Sequence, residues 1–167
     1  MDRSKEGRCP CYHCKGTKLS DKLIKFIDDF ESFLGRRVII TSGARCPHYN
    51  RIVGGAYNSP HLIDANNIGH AVDFTVVGMK PIEVAFKIEQ FTKEGRTGIY
   101  QRHIHKDFMN PAPSKYWYVN QNYYYSQGLN DLYKFLLKLK SEGRLSNDDI
   151  RTLDFISLTT NKTTKEV

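Results

Sequence analysis

The run Arg102-His103-Ile104-His105-Lys106-Asp107 concentrates more chemistry than any other stretch of the chain. Residues two apart in a strand share a face. A strand here sets His103, His105 and Asp107 on one side, and Ile104 and Phe108 on the other, toward a core. Two imidazoles and a carboxylate on one face can move protons or ligate a metal. The stretch after Gly69 follows the same logic. Ala71, Asp73 and Thr75 share one face, while Val72, Phe74 and Val76 share the other. Asp73 is then a lone acid between core residues, and a bare buried charge is costly. It needs a metal or a partner such as Arg45. Each histidine taken singly could instead sit satisfied within a core.

A second group of reactive side chains lies at the N-terminus. Cys9, Cys11 and Cys14 fall within six residues, with His13 among them, and Cys46 stands apart. Cys-x-Cys-x-x-Cys suits a structural zinc, with Cys46 as fourth ligand. Reduced thiols in a tight loop, or a disulfide to Cys46, are the alternatives. Residues 1–7 are charged and lack an apolar segment, so no signal peptide is expected and disulfides are not the default.

The elements that must position these groups follow from periodicity. Ser20 reads as a helix cap, Leu23, Ile24, Ile27, Phe30 and Leu34 recur at helical spacing, and Gly35 stops the run. Arg37 to Thr41 is a β-branched strand. Ser42 to Gly55 reads as a loop with one helical turn. His70 to Val77 is a strand, and Pro81 opens a helix to about Lys93. Gly98 to Phe108 reads as a third strand region and Lys115 to Val119 as an edge strand. Asn120 to Gly128 reads as an aromatic loop. Helices are expected from Leu129 to about Leu139 and after Ser146, with Asp148 and Asp149 in the first turn of the latter. Strands and helices mix without βαβ alternation. The expected class is therefore α+β, a small central antiparallel sheet with flanking helices.

The 167 residues suit one domain with a real core. The expected division is a cysteine-rich segment (1–18), a catalytic core (19–119), a helical extension (120–158) and a disordered tail (159–167). Lys and Arg outnumber Asp and Glu by 25 to 18, a net charge of +7. The basic residues are scattered rather than gathered on one helix, so nucleic acid is not the expected partner. Attraction to another anionic polymer, or simply a basic soluble surface, fits better. No apolar run is long enough to span a membrane, and a monomer is expected.

Taken together the motifs are more specific. Thr41-Ser42-Gly43-Ala44-Arg45-Cys46-Pro47 precedes Asn50 and Val53-Gly54-Gly55. Then come Ser59-x-His61, Gly69-x-Ala71-x-Asp73 and His105-x-Asp107. This order resembles the zinc D-Ala-D-Ala carboxypeptidase and L-alanyl-D-glutamate endopeptidase family, which shares its fold with the hedgehog signalling domain. The resemblance covers about Leu19 to Asp107, and the cysteine-rich start looks like that of some small bacterial and phage members. It implies zinc held by His61, Asp73 and His105, leaving one position open for a water made acidic by the metal. It places Arg45 near the substrate, on the oxyanion. It implies a substrate- or loop-binding role for Ser59, an orienting role for Asp107 toward a ligand or Arg45, and a peptide of bacterial peptidoglycan as substrate. Such an enzyme would reach the wall by lysis, in a phage particle or through an exporter.

Two departures stand out. The resemblance sets three steps between the histidine and the glycine of H-x-x-G, but His61 and Gly69 are eight apart. About five residues within Ile63 to Ile68 are therefore extra, and are expected as a loop at the cleft rim that shapes substrate choice. His61, rather than the nearer His70, remains the expected ligand. Many members also place an acidic base three residues before the last histidine, where Arg102 stands here. Asp107, His103 or a helix acid such as Glu89 must then serve. The alternative is a zinc-stabilised binding module without catalysis.

Overall fold

The computed structural model describes residues 3, 5–12, 14, 16–109, 114–119, 121–126 and 128–163. A short strand β1 (Lys18–Leu19) leads into helix α1 (Asp21–Leu34). Ser20 caps α1 by accepting the Leu23 N–H at 3.4 Å, and Gly35 closes it with φ of 59°. Its buried stripe is Leu23, Phe26, Ile27 and Phe30. Next come β2 (Val38–Ser42), the six-residue α2 (Pro47–Ile52), β3 (Ile68–Gly69) and β4 (Ala71–Val76). Helix α3 (Pro81–Phe91) is followed by β5 (Arg96–Ile99), β6 (Ile104–Asp107), β7 (Ser114–Tyr118) and β8 (Gln121–Ser126). The described chain ends with α4 (Leu129–Ser141) and α5 (Asn147–Thr163).

Six strands form one sheet in the order β2-β4-β6-β5-β7-β8, antiparallel except where β5 meets β7. A separate parallel pair joins β1 to β3. The class is α+β, as expected. One sheet face carries Val38, Phe74, Ile104, Ile99 and Tyr116 into a core with α1, α3 and α4. Each such large side chain contributes about 1.5–3 kcal/mol on burial. Leu132, Leu136 and Leu139 of α4 and Leu153 of α5 belong to the same core.

The other face holds polar residues in rows set by strand register. One row runs Ser42, Asp73, His105, Gly98, Trp117 across β2, β4, β6, β5 and β7. The next runs Ala71, Asp107, Arg96, Lys115.

The structure corrects four expectations about elements. The region from Gly98 to Phe108 is not one strand but the hairpin β5–β6, which starts at Arg96. The Lys115–Val119 strand is not an edge, because β8 flanks it. Gln121 to Ser126 is that edge strand rather than a loop, in keeping with the β preference of consecutive tyrosines. Helix α5 also continues through Thr163, into the stretch expected to be a tail; residues 164–167 lie outside the described set.

Candidate metal centre

His61, Asp73 and His105 reach one point from three places in the chain. Asp73 and His105 are direct cross-strand partners on β4 and β6. His61 sits on the turn before β3, and Leu62 beside it forms a parallel bridge with Arg45. Nε2 of His61 lies 3.1 Å from Nδ1 of His105 and 3.1 Å from Oδ1 of Asp73; the third side of the triangle is 2.9 Å. All three residues are buried.

The outer nitrogen of each imidazole is committed elsewhere. His61 Nδ1 lies 2.7 Å from the Gly43 carbonyl, which can only accept. Nδ1 therefore carries the proton, and Nε2 turns a lone pair inward. His105 Nε2 lies 3.0 Å from Asp107 Oδ2, so its Nε2–H is donated there and Nδ1 faces the triangle. Two neutral nitrogen donors and one carboxylate oxygen converge, each oriented from behind, as a zinc site requires. Tetrahedral zinc with bonds of about 2.0–2.1 Å spaces its ligands roughly 3.3 Å apart. The observed triangle is slightly tighter and fits that ion.

The charges around the triangle are balanced. Burial acts to raise the Asp73 carboxyl, but the His105 and His61 rings beside it hold it far below the usual range. Its other oxygen accepts from Arg45 Nη2 at 2.7 Å. Arg45 is itself braced by Ser42 Oγ, at 3.0 Å from Nε and 2.8 Å from Nη2. The pairing of Asp73 with Arg45 and its place beside the histidines thus occur together.

Burial acts to lower His105, yet Asp107 and Asp73 together raise it. Asp107 is fully buried and takes Arg96 on both oxygens, with Nε at 2.8 and 3.1 Å and Nη2 at 2.9 Å. Burial acts to raise its carboxyl, but the bonds with His105 and then Arg96 outweigh it and hold the carboxyl low. Its partners are His105, Arg96 and the Met109 N–H rather than Arg45. With both oxygens occupied it is placed to orient a ligand and not to meet a substrate, which weighs against Asp107 as the base.

The centre opens into a cavity of about 690 Å³, within the range of ligand pockets. Arg45, Ser59 and His103 line it, together with Tyr100 and Trp117. Ser59 Oγ also accepts the His61 N–H at 3.3 Å, which steadies the turn. His103 precedes β6 and stacks on Tyr100, with ring centroids 4.6 Å apart. Burial holds its pKa below the usual histidine value. Glu89 lies elsewhere. It is fully buried on the helical side of the sheet, bonded to Tyr116 and Lys93, and does not line the cavity.

His70 is exposed and pairs with Asp64 at 3.1 Å, away from the triangle. The extra residues do not form a cleft rim. Asp64 caps a turn through Asn66 and Ile68 N–H groups, and Ile68–Gly69 then pairs with β1. The cavity wall on that side comes instead from Val53 to Pro60.

Sequence reasoning missed Arg96, Tyr100 and Trp117. Trp117 reaches His105 across Gly98, with ring centroids 5.2 Å apart, and donates its Nε1–H to Tyr100 at 3.2 Å. A Cβ on Gly98 would lie 2.5 Å from that indole. A glycine at a strand position opposite a histidine was the available signal.

The sulfur groups form a second cluster. The Sγ atoms of Cys9, Cys14 and Cys46 lie within 4.8 Å of one another. Cys11 adjoins this cluster, its carbonyl 3.4 Å from Cys14 Sγ. All four cysteines are free thiols, so the disulfide to Cys46 is not formed. His13 lies outside the described residues.

A family model described as Peptidase M15 matches residues 3–107. No curated protein matches the chain at a significant level. No solved structure matches it either.

Proposed function

The chain belongs to the peptidase M15 family, and from that premise we propose that it hydrolyses a peptide bond in bacterial peptidoglycan, with zinc held by His61, Asp73 and His105. The observation that carries this reading is the triangle of inward-facing donors at the floor of an open cavity. Zinc in such a site supplies an activated water and a polarised carbonyl.

The residues of the chain supply the rest. Arg45 is fixed beside the centre by Ser42 and Asp73, where its charge stabilises the developing oxyanion; such a donor contributes about 3 kcal/mol. Ser59 binds the peptide backbone or holds the His61 turn. Asp107 fixes the His105 ring. Among the described residues lining the cavity, Asp73 is the only carboxylate. Proton transfer therefore falls to His103, which faces the cavity and is held flat against Tyr100.

The missing second carboxylate favours one alternative, a zinc-stabilised binding module of the same fold. Incubation of the zinc-loaded protein with purified peptidoglycan, followed by mass spectrometry of released fragments, separates the two. New peptide termini, absent with His105→Ala, support the peptidase and identify it as carboxypeptidase or endopeptidase. Binding without cleavage supports the module.

A further inference from the structure

We propose that Cys9, Cys11, Cys14 and Cys46 hold a second zinc ion, and that this ion clamps the loop that shapes the His61–Asp73–His105 centre. Four zinc-bound thiolates with bonds of about 2.3 Å sit roughly 3.8 Å apart. Three of the sulfurs already lie within 4.8 Å of one another, and Cys11 adjoins them through its carbonyl, 3.4 Å from Cys14 Sγ. Cys11 and Cys14 are joined by a turn in which the Cys14 N–H is donated to the Cys11 carbonyl at 3.3 Å. This two-residue spacing is the one that structural zinc sites commonly use.

Backbone donors point at the sulfurs. The Cys46 N–H lies 3.4 Å from Cys9 Sγ, and the Tyr49 N–H lies 3.3 Å from Cys46 Sγ. Such donors stabilise thiolate, the form that binds metal. Cys9 and Cys46 are buried, and no disulfide uses any of the four. Three converging sulfurs with aimed N–H groups and a fourth cysteine nearby form a ligand set, whereas packing alone would require only small apolar side chains.

The clamp follows from what adjoins Cys46. The five residues Ser42 to Cys46 serve both centres. Ser42 braces Arg45, the Gly43 carbonyl orients His61, and Arg45 binds Asp73. The buried apolar side chains of this stretch are the small Ala44 and Cys46 itself. In α2, which follows it, the one buried residue is Asn50, and Ile52 and Val53 are exposed. The stretch is held to the His61 turn by the backbone of Arg45 and, on its other side, to the cysteine-bearing segment. Ala44 donates its N–H to the Gly7 carbonyl at 2.7 Å, and a Cβ on Gly43 would come within 2.3 Å of that same oxygen. An ion joining Cys9, Cys11 and Cys14 to Cys46 locks the N-terminal segment against the loop and so fixes the second shell of the other centre. This coupling rests on reading His61, Asp73 and His105 as a zinc centre; the sulfur site itself does not.

Native mass spectrometry of the full-length protein counts the ions. Two zinc ions in the wild type and one in His61→Ala are expected. Cobalt substitution of His61→Ala should show sulfur-to-cobalt charge-transfer absorption, and Cys11→Ser/Cys14→Ser should lack it. The same double variant should bind zinc at the histidine centre at least ten-fold more weakly, the size of effect seen when orienting partners are lost. Cys14→His, which keeps a competent ligand, should restore most of that affinity. Iodoacetamide labelling of the wild type guards against a variant that does not fold: all four cysteines should be protected with zinc and react after chelation. Equal labelling with and without zinc, or no charge-transfer band in His61→Ala, overturns the sulfur site. An unchanged affinity at the histidine centre in the double variant overturns the clamp. Full zinc retention in His61→Ala would instead overturn the histidine centre, while the cobalt spectrum still reports on the sulfurs.

Discussion

Asp107 accepts the Nε2–H of His105 at 3.0 Å while Arg96 occupies both of its oxygens from the neighbouring strand. The pair fixes which imidazole nitrogen carries the proton, and hence which one faces Asp73 and His61. Asp107→Asn keeps the shape but removes the charge. Zinc affinity should fall about 10–100-fold, and activity should return when zinc is supplied in excess. Competition with a chromogenic chelator measures the affinity; an unchanged value would show that the carboxylate serves only Arg96.

His61 and His70 are to be compared as a pair. His61→Ala removes a donor from the triangle and should abolish tight zinc binding at that centre. His70→Ala disturbs only an exposed contact with Asp64 and should leave zinc content within error. Elemental analysis decides, with zinc on the cysteines counted separately. The reverse result would move the centre to His70.

Arg45→Lys keeps a cation but loses the planar fork that Ser42 and Asp73 grip. Zinc should remain, while kcat/KM on peptidoglycan fragments should drop about 100-fold, the size of effect for a lost oxyanion donor. Loss of zinc together with activity would make Arg45 a positioning residue for Asp73.

Gly98→Ala places a methyl where the Trp117 indole passes over the strand, 2.5 Å from the ring. The protein should lose about 1–3 kcal/mol of stability, as overpacked sites do. The change in Trp117 fluorescence on adding zinc should differ from wild type, because this ring packs on His105. Thermal unfolding and emission spectra test both; unaltered values would mean that Trp117 has room to move.

The N-terminal segment gives a pH-dependent contribution. Glu31 accepts the Val38 N–H at 2.7 Å and also binds Arg3, which is nearly fully buried. The Val38 bond is the largest influence lowering the Glu31 pKa from its ordinary 4.5, with Arg3 adding to it against burial. A carboxyl lowered by folding stabilises the native state above its unfolded value and loses that effect as pH falls. Glu31→Gln should therefore cost about 1–2 kcal/mol near neutral pH, and the two proteins should converge in stability as the pH falls through and below about 4.5. Urea titrations across that window measure it. A difference that persists at low pH would assign the effect to packing.

Local pattern was enough to read much of this molecule. The stripe from Leu23 to Phe30 and the stop at Gly35 specify α1, because a helix repeats within a few residues. Alternation around Asp73 and His105 put both on the polar faces of their strands, where the structure has them. The motif order named His61 as their companion, and the structure brings the three side chains together. Strand neighbours and register were not legible, because they depend on contacts between distant segments. The position of β7 beside β5 brings Trp117 over Gly98 to His105, and the pairing of β5 with β6 sets Arg96 against Asp107. The extra residues after His61 read as a free loop, yet Ile68 and Gly69 pair with Lys18 and Leu19, each fifty positions away by chain number. The cysteines are the sharpest case. Their spacing announced three ligands, but the approach of Cys46 depends on the Gly7–Ala44 hydrogen bond and on Gly43 lacking a side chain. A local pattern fixes which face a residue occupies, and only the packing of the whole chain fixes what stands opposite it.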